Sequence, residues 1–312
     1  MRIERGVEAV VRDLNSVLTV GTFDGVHLGH RAILDRLLHR AGETGLRATV
    51  VSFDPHPRHV LADHRVHLLS TIEERARVFE SLGVDRYVVL KFDLELSQMA
   101  PEEFVRTILV ETVGCKEIVV GYDHGFGRNR AGNFGLLDRL GPSLGFDVTR
   151  VEEARVDQDR LSSTVIRQLI EEDGDVEEAE RRLGRPYGLT GVVVKGDGRG
   201  RGIGFPTANI GEVDSAKVIP LPGVYAVWVT IDGMVPRHGG MMNIGVRPTF
   251  GGTDQRIEVH LIAFDEDLYG ARLQVEFVKR LRDEQKFDSV DGLIQQLSLD
   301  KVRCTGALEV NG

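Results

Sequence analysis

The sequence predicts two folds in succession, an α/β domain with a parallel sheet and then an antiparallel β barrel with a C-terminal helix. Up to about residue 183, short β-branched runs alternate with segments of helical patterning, which is typical of a doubly wound parallel sheet. Residues 184–188, G-R-P-Y-G, interrupt that pattern. Beyond them, strand-like runs follow one another across glycine-rich turns. We therefore place a boundary near residue 186, which gives domains 1–186 and 187–312.

Length and composition narrow the class of protein. At 312 residues, each of two domains has enough chain to bury its own core, and 41% hydrophobic with 28% charged residues is ordinary for a globular protein. A net charge of −9 argues against general nucleic-acid binding. The N-terminus has no secretory pattern, and no apolar run reaches membrane-span length. Cys115 and Cys304 show neither metal-site spacing nor a disulfide framework. We therefore expect a cytoplasmic protein without a membrane partner.

In the first half, five apolar runs predict strands and the segments between them predict helices. The strands are expected at 17–20, 48–53, 87–90, 117–121 and 146–151, and helices at 33–41, 72–82 and 101–110. A parallel sheet of this kind binds its ligands at the carboxyl ends of the strands. The motifs described next all fall at such ends.

The first motif, residues 20–30, reads V-G-T-F-D-G-V-H-L-G-H and joins the first apolar strand to the first helix. Its glycines permit a sharp turn and a close approach to a ligand. A helix N-terminus carries unpaired N–H groups and suits an anion such as phosphate. His27 and His30 are three apart, so both can face one phosphoryl group. A capped helix end with two solvated histidines is the simpler alternative, and zinc is weaker because no further ligand lies nearby.

Three further segments of the first half carry polar side chains at strand or helix ends. Residues 53–57, F-D-P-H-P, end the second strand with two prolines that stiffen the exit. Residues 121–132 form a glycine-rich loop with two arginines. Residues 161–167, L-S-S-T-V-I-R, open a helix, where hydroxyls are most often caps. Arg167, one turn further, can reach an anion at that same helix end.

The second half predicts separated strands at 190–194, 223–230, 256–264 and 272–278, with one helix at 290–297. Before the barrel, residues 171–183 predict a charged surface helix that Gly174 can break. The main motif is residues 191–209, a glycine-rich run that ends in F-P-T-A-N and lacks the ending of a P-loop. Thr207 and Asn209 fall on one side of a strand, and their hard oxygen atoms suit Mg²⁺.

A primary alcohol that attacks a phosphate needs a base to remove its proton. Glu258, in I-E-V-H-L, is the candidate on a facing strand, although a lone strand glutamate is most often solvated. By contrast, a phosphate that attacks ATP is already anionic and needs orientation and charge stabilisation instead.

The motifs resemble those of the bacterial bifunctional riboflavin kinase/FMN adenylyltransferases, the FAD synthetase family. Residues 22–30 resemble the H-x-G-H signature of nucleotidyltransferases in this family's version, and the F-D-P-H-P, glycine-rich basic and S-S-T-x-I-R segments follow in family order. Residues 191–209 resemble the riboflavin kinase signature, and I-E-V-H, N-I-G-V-R-P-T-F-G and F-D-E-D-L-Y-G resemble its later motifs. Two departures are His124, where an aromatic residue is commoner, and Ala263, which replaces an aspartate.

The resemblance implies a Rossmann-like nucleotidyltransferase domain that adenylates FMN to FAD and a Greek-key-type barrel that phosphorylates riboflavin to FMN. The catalytic residues it implies are His27, His30, Arg167 and Glu258. In the first domain it implies ATP or phosphate binding by Gly21, Phe23, Gly29, Ser162, Ser163 and Thr164, and flavin binding by Asp54, Pro55, His56 and Asp123. In the second it implies nucleotide or flavin binding by Gly196, Gly200, Arg201, Gly204, Phe205, Pro206, Asn243 and Arg247, the last two in a loop, and metal binding by Thr207 and Asn209.

The expected ligands are therefore ATP, Mg²⁺, riboflavin and FMN, with FAD as product and no partner beyond weak self-association. Two alternatives stay open at this point. One is a single-activity FMN adenylyltransferase whose second domain only binds flavin, and intact Thr207, Asn209 and Glu258 argue against it. The other is a non-enzymatic flavin sensor or carrier, which would bind flavin without consuming ATP.

Overall fold

The computed structural model describes residues 1–61, 66–122, 125–152, 155–156, 159–196, 198–249 and 252–310. Contacts divide the chain into two units, Met1–Ser163 and Thr164–Gly312. This division falls within a short helix, Ser163–Gln168. The domain boundary expected near residue 186 stays a prediction.

The first unit is built on a six-stranded parallel sheet in the order β1-β4-β3-β2-β5-β6. Its strands are β1 Arg2–Arg5, β2 Ser16–Val20, β3 Arg47–Asp54, β4 Arg86–Lys91, β5 Glu117–Gly121 and β6 Asp147–Val151. A separate antiparallel pair consists of β7 Arg155–Val156 and β8 Asp159–Arg160. The predicted parallel α/β fold is confirmed. Strand β1 was not predicted, because this edge strand, R-I-E-R, buries a single residue and has no apolar run.

Helices connect the strands of the first unit. They are α1 Leu28–Thr44, α2 Pro57–Leu61, α3 Ile72–Leu82, α4 Leu94–Gln98, α5 Pro101–Glu103 and α6 Phe134–Leu144. A π-helix, Phe104–Val113, continues α5, and short 3₁₀ turns span Val7–Ala9 and Arg128–Arg130. The α3 helix begins where the sequence predicts because Thr71 and Glu74 form a capping box.

Both faces of the parallel sheet are buried, as its continuous apolar strands require. Leu18, Val88 and Ile118 belong to a core on the side of the π-helix and α6. Val17, Val50 and Tyr87 belong to a second core that includes residues of α1 and α3. The sheet is therefore held rigidly between helices, which leaves its strand ends to carry the polar groups.

The second unit contains a closed antiparallel barrel in the order β10-β13-β12-β11-β14-β9. Its strands are β9 Gly188–Val194, β10 Ala208–Gly211, β11 Gly223–Ile231, β12 His238–Thr249, β13 Gly252–Leu261 and β14 Arg272–Arg282. Because β14 returns to lie beside β11, the β14-β11-β12-β13 order is a Greek key. The barrel prediction is confirmed, and the order of its strands identifies the Greek key that the sequence resemblance implied.

Helices flank the barrel at both ends of its sequence. They are α7 Ser163–Gln168, a π-helix Leu169–Asp173 and α8 Val176–Leu183 before it and α9 Val290–Val310 after it, and a 3₁₀ turn, Arg199–Ile203, lies between β9 and β10. Gly174 adopts φ 67° between the π-helix and α8, so the predicted break in this segment is confirmed.

Two expectations about the second unit were wrong. Asn243 and Arg247 lie in strand β12 and not in a loop, because its Gly239, Gly240 and Gly245 hide the strand pattern in the sequence. The predicted helix 290–297 extends to Val310, because tertiary packing of Cys304 and Leu308 outweighs the weaker helical pattern. Within the described residues, no helix combines the length and apolar character that a membrane span requires.

Candidate functional site

The turn after β2 has an unusual backbone. Phe23, Gly25 and Val26 all have positive φ, at 49°, 79° and 42°. Phe23 and Val26 are 2% exposed, so core packing holds these non-glycine residues in a conformation that they rarely adopt. A hydrogen bond from the Val26 N–H to the Phe23 carbonyl, 3.0 Å long, closes the turn. The sequence thus places a pre-shaped loop directly before α1.

Side chains from distant segments support this turn. The buried Asp24 carboxylate accepts a hydrogen bond from the Ser70 N–H at 3.1 Å, and Ser70 Oγ accepts one from the Gly25 N–H at 2.9 Å. The Arg75 guanidinium donates to the Thr22 carbonyl at 2.5 Å. Ser163 Oγ donates to the Asp24 carbonyl at 2.9 Å. Ser70 and Arg75 were not predicted from the sequence, since neither belongs to a motif.

His27 and His30 are brought together at the start of α1. His27 is the N-cap, and its Nδ1 accepts a hydrogen bond from the His30 N–H at 3.3 Å. The two rings stack with centroids 3.7 Å apart, and the Phe23 ring lies edge-on to His30 at 5.2 Å. Because Nδ1 is an acceptor, neutral His27 carries its proton on Nε2. This helix end can therefore offer imidazole and backbone donors to an anion.

Other predicted residues of the first unit follow strands that flank β2. Asp54 ends β3, and Pro55 and His56 follow it at the same edge of the sheet as the β2 turn. Gly121 ends β5 on the other side of β2, where a Cβ would lie 2.9 Å from Ile33 Cδ1 of α1. Because chain order reverses between β2 and β5, this edge is the topological switch point of the sheet.

The remaining predicted residues of the first domain either lie in its core, or belong to one or the other of the two units, or lie outside the described residues. Phe23 is buried in the core and Gly21 packs against its ring, with a virtual Cβ 3.1 Å from Phe23 Cε2. Ser162 and Ser163 belong to the first unit, whereas Thr164 and the buried Arg167 belong to the second. Asp123 and His124 lie outside the described residues.

In the second unit, three polar residues form a row across neighbouring strands. Glu258 of β13 is paired with Asn209 of β10 on one side and with Asn243 of β12 on the other. Directly opposed residues of antiparallel strands point to the same face. Thr207 Oγ1, just before β10, donates to Glu258 Oε2 at 3.4 Å, and Arg256 lies 3.6 Å from Glu258 Oε1. The structure thus brings together residues that are far apart in the sequence.

The glycines of the motif at residues 191–209 lie so close to neighbouring atoms that a side chain at their positions would collide with them. A Cβ on Gly196 would lie 2.0 Å from Asn209 Nδ2, and one on Gly200 would lie 2.2 Å from the Phe205 carbonyl oxygen. Gly204 has φ 83° and follows the 3₁₀ turn. The glycines are therefore required to wrap the loop tightly around β10.

Two cavities meet at Thr207. The first, of about 280 Å³, is mainly apolar and contains Glu258 beside Phe205, Met241 and Asn243. The second, of about 370 Å³, is lined by Arg201, Pro206 and the segment 264–269. Thr207 lines both, so its hydroxyl lies where a molecule in one cavity can approach a molecule in the other. The side chain of Arg247 lies outside the part of the chain that the structure describes.

Four polar residues of the smaller cavity were not predicted as site residues from the sequence, namely His260, Arg282, Glu284 and Gln285. Burial lowers the pKa of His260, which keeps the ring neutral. Arg282 binds the fully buried Asp300 of α9 through Nε at 2.8 Å. A signal for His260 was available, since it lies two residues after Glu258 on the same face of a strand. No sequence pattern links Arg282 to Asp300.

Comparison with known proteins gives matches over both parts of the chain. A family model described as FAD synthetase matches residues 11–165, and one described as riboflavin kinase matches residues 183–308. The bifunctional riboflavin kinase/FMN adenylyltransferase of Listeria monocytogenes is 40% identical over 293 residues, covering 93% of this chain and 91% of the relative. The protein of that name from Escherichia coli K12 is 38% identical over 305 residues, covering 97% and 96%.

A solved structure from Streptococcus pneumoniae, described as a macrolide-efflux protein, covers 96% of this chain and 98% of its own with a TM-score of 0.87 and 31% identity. The fold is therefore shared over 96% of this chain. Together with the two matched family models, these similarities show that the chain belongs to the bifunctional riboflavin kinase/FMN adenylyltransferase family.

Proposed function

We propose that the two reactions of this family use the two sites described above. In the first unit, the phosphate of FMN attacks the α-phosphorus of ATP at the β2–α1 turn, which forms FAD and releases pyrophosphate. In the second unit, riboflavin takes the γ-phosphoryl group of ATP at the barrel, which forms FMN and ADP. The observation that carries the barrel assignment is Thr207, which lines two cavities and hydrogen-bonds to Glu258.

The chemistry of the cavities supports placing the flavin in the smaller one. Its Phe205, Met241 and Met242 surfaces suit a fused aromatic ring, and Glu258 lies there to meet an alcohol. The larger cavity has Arg201 for phosphate and Tyr269 for stacking on a base, which suits the nucleotide. Glu258 then takes the proton of the riboflavin primary hydroxyl while that oxygen bonds to the γ-phosphorus and the bond to ADP breaks.

The donor set beside Glu258 fits Mg²⁺. The Thr207 hydroxyl and the Asn209 amide are hard oxygen donors, and the absent side chain of Gly196 allows the Asn209 amide to keep its position. These two residues would hold the ion, with phosphate oxygens as its further ligands. When bound, Mg²⁺ neutralises the charge on the phosphates of ATP.

Adenylation needs no general base, because the FMN phosphate is already ionised at neutral pH. His27 Nε2–H and the N-terminal N–H groups of α1 are placed to stabilise charge on the α-phosphoryl group. Asp54, Pro55 and His56, at the neighbouring strand end, would contact the flavin. We propose that Ser162, Ser163, Thr164 and Arg167 bind the ATP phosphates, as the family motif implies.

Replacing Glu258 by glutamine tests the base. The amide keeps the shape but accepts no proton, so we expect riboflavin phosphorylation to fall at least about a hundredfold. FMN adenylation by the same preparation should be unchanged and serves as an internal control. Glu276→Gln, on β14 and paired with Arg237, is the matched control and should leave both activities intact. A loss below about tenfold in Glu258→Gln would show that Glu258 is not the base.

The matching of two family models to separate stretches favours the bifunctional enzyme over a single-activity adenylyltransferase and over a sensor or carrier. Following FMN and FAD formation from riboflavin, ATP and Mg²⁺ over time distinguishes the three. The bifunctional enzyme makes FMN and then FAD, the single-activity enzyme needs added FMN, and a sensor consumes no ATP. The cytoplasmic location, the absence of nucleic-acid and membrane partners and weak self-association stay predictions.

A further inference from the structure

His260 lies in the smaller cavity without a role in the chemistry derived so far. It is on β13, two residues after Glu258, and both side chains line this cavity. His260 is 8% exposed, and the Phe205 ring lies edge-on to it with centroids 5.3 Å apart. A polar ring is therefore enclosed among largely apolar neighbours.

The hydrogen bond of one ring nitrogen determines the state of the other. His260 Nδ1 lies 2.8 Å from the Pro206 carbonyl oxygen. A carbonyl oxygen only accepts, so Nδ1 carries the proton and Nε2 of the neutral ring is an acceptor. Nε2 is buried and has no hydrogen-bond partner among the residues that the structure describes. Leaving a buried acceptor unpaired is unfavourable, so a ligand that brings a donor to Nε2 would stabilise this arrangement.

The position of His260 relative to Glu258 indicates which group of the ligand donates to Nε2. Residues two apart on a strand lie about 7 Å from each other on one face. If Glu258 meets the terminal hydroxyl of riboflavin, a ribityl chain that runs along this face of β13 passes His260 before it reaches the ring system. Its secondary hydroxyls are donors, and none of the donors among the described lining residues, such as Asn243, Arg282 or Gln285, is hydrogen-bonded to Nε2.

We propose that His260 Nε2 accepts a hydrogen bond from a secondary hydroxyl of the ribityl chain, which makes His260 a specificity-determining residue of the kinase site. This inference rests on the proposed function, which places the flavin in the smaller cavity. The hydrogen bond to the Pro206 carbonyl fixes the orientation and tautomer of the His260 ring. The ring then discriminates substrates by whether they carry the ribityl hydroxyl.

Two substitutions distinguish the role of Nδ1 from the role of Nε2. In His260→Asn the amide N–H can replace Nδ1–H toward Pro206, but nothing replaces Nε2. In His260→Gln the longer amide can place an acceptor near Nε2, but the bond to Pro206 is lost. We expect His260→Asn to raise the KM for riboflavin about tenfold with the KM for ATP unchanged, and His260→Gln to restore part of that loss. Riboflavin affinity, measured by quenching of flavin fluorescence, should follow the same order.

Deoxy analogues of riboflavin at the 2′, 3′ and 4′ positions identify the hydroxyl and need no variant. One analogue should lose about tenfold in kcat/KM with the natural chain and lose nothing further with His260→Asn. The matched control is His238→Asn, a histidine of β12 that packs on Phe264, which should behave as the natural chain does. If every analogue equals riboflavin, or if His260→Gln fails while His260→Asn is normal, the proposal is wrong.

Failure of the inference can be told from failure of the cavity assignment. Leu293, on α9, also lines the smaller cavity, and Leu293→Trp would fill part of it. If Leu293→Trp raises the KM for riboflavin while His260→Asn does not, flavin binds there without His260. If neither variant affects riboflavin, the cavity does not hold the flavin, and the proposed placement of the substrate is wrong together with the inference.

Discussion

At residue 29 the conformation of one imidazole depends on a missing side chain. A Cβ on Gly29 would lie 3.0 Å from His27 Cε1 and 3.1 Å from Nδ1. Such contacts are tight, so the ring would have to shift by a few tenths of an ångström, and that ring caps α1 by accepting from the His30 N–H. The role of Gly29 is therefore to leave space for the His27 ring and not to stabilise α1, since glycine normally weakens a helix.

We expect Gly29→Ala to lower FMN adenylation about tenfold, because a shifted His27 ring would be misaligned with the phosphoryl group that we propose it contacts. Kinase activity should be unchanged. Gly42→Ala is the control on the same helix, since no atom lies within 4 Å of its Cβ position. That change should stabilise the fold by about 1 kcal/mol and leave both activities intact. Normal adenylation in Gly29→Ala would argue against a role for the His27 ring.

Among the elements, α9 is joined to the barrel by a buried ion pair. Asp300 is fully buried, and Arg282 of β14 contacts its Oδ2 through Nε and NH2, both at 2.8 Å. Gln296 donates to Oδ1 at 2.8 Å. Because Arg282 and Leu293 both line the smaller cavity, this pair holds a wall of the candidate flavin site in place.

Asp300→Asn should lower the free energy of unfolding of the second unit by about 3 kcal/mol, because a buried guanidinium loses its counter-charge. The chain has one tryptophan, Trp228, which packs on the cluster formed with Cys304 and Leu308 of α9. Its fluorescence during urea unfolding therefore reports on this unit. Glu309→Gln, exposed on the same helix, is the control and should shift nothing. An unchanged midpoint in Asp300→Asn would mean that other contacts hold α9.

At the scale of the whole molecule, the helices between the two matched family regions pack within the second unit. The Ile170 carbonyl accepts from the Leu221 N–H at 3.0 Å, and Lys279 of β14 lies 3.0 Å from Glu177 of α8. A Cβ on Gly174 would lie 2.8 Å from Arg280 Cδ, so the chain approaches β14 closely there. Buried aliphatic side chains such as Ile170 and Leu183 each contribute about 1.5–3 kcal/mol.

We therefore expect the fragment 164–312 to unfold at higher urea than 187–312, with Trp228 fluorescence as the measurement. Both fragments contain every residue proposed for the kinase site, so riboflavin phosphorylation at low temperature should survive in both. Equal urea midpoints would show that α7 and α8 add nothing to the barrel. For the other half, fragment 1–186 should convert FMN and ATP to FAD, and its failure to do so would contradict the N-terminal assignment.

Much of the fold was predictable because its signals are local. Buried parallel strands such as Glu117–Gly121 are continuous apolar runs, and Ile72–Leu82 carries its own capping box. Strand β12 was not predictable, because its glycines give no strand pattern in the sequence. Hydrogen bonding to β11 and β13 stabilises this strand instead. The length of α9 depends on burial of Cys304 and Leu308. The periodicity of apolar residues along the sequence hardly indicates that the helix continues to Val310.

By itself, the sequence determined the two fold classes and the identity of most residues at both candidate sites, because short motifs set which groups occur and at what spacing. The tertiary structure decided which of them meet. Asn209, Glu258 and Asn243 form one row only because β10, β13 and β12 are neighbours in a closed barrel. The free acceptor of His260, the Ser70 and Arg75 supports and the Arg282–Asp300 pair also arise from contacts between distant segments. Hydrogen bonding and burial depend on distance in space, and a motif records only distance along the chain.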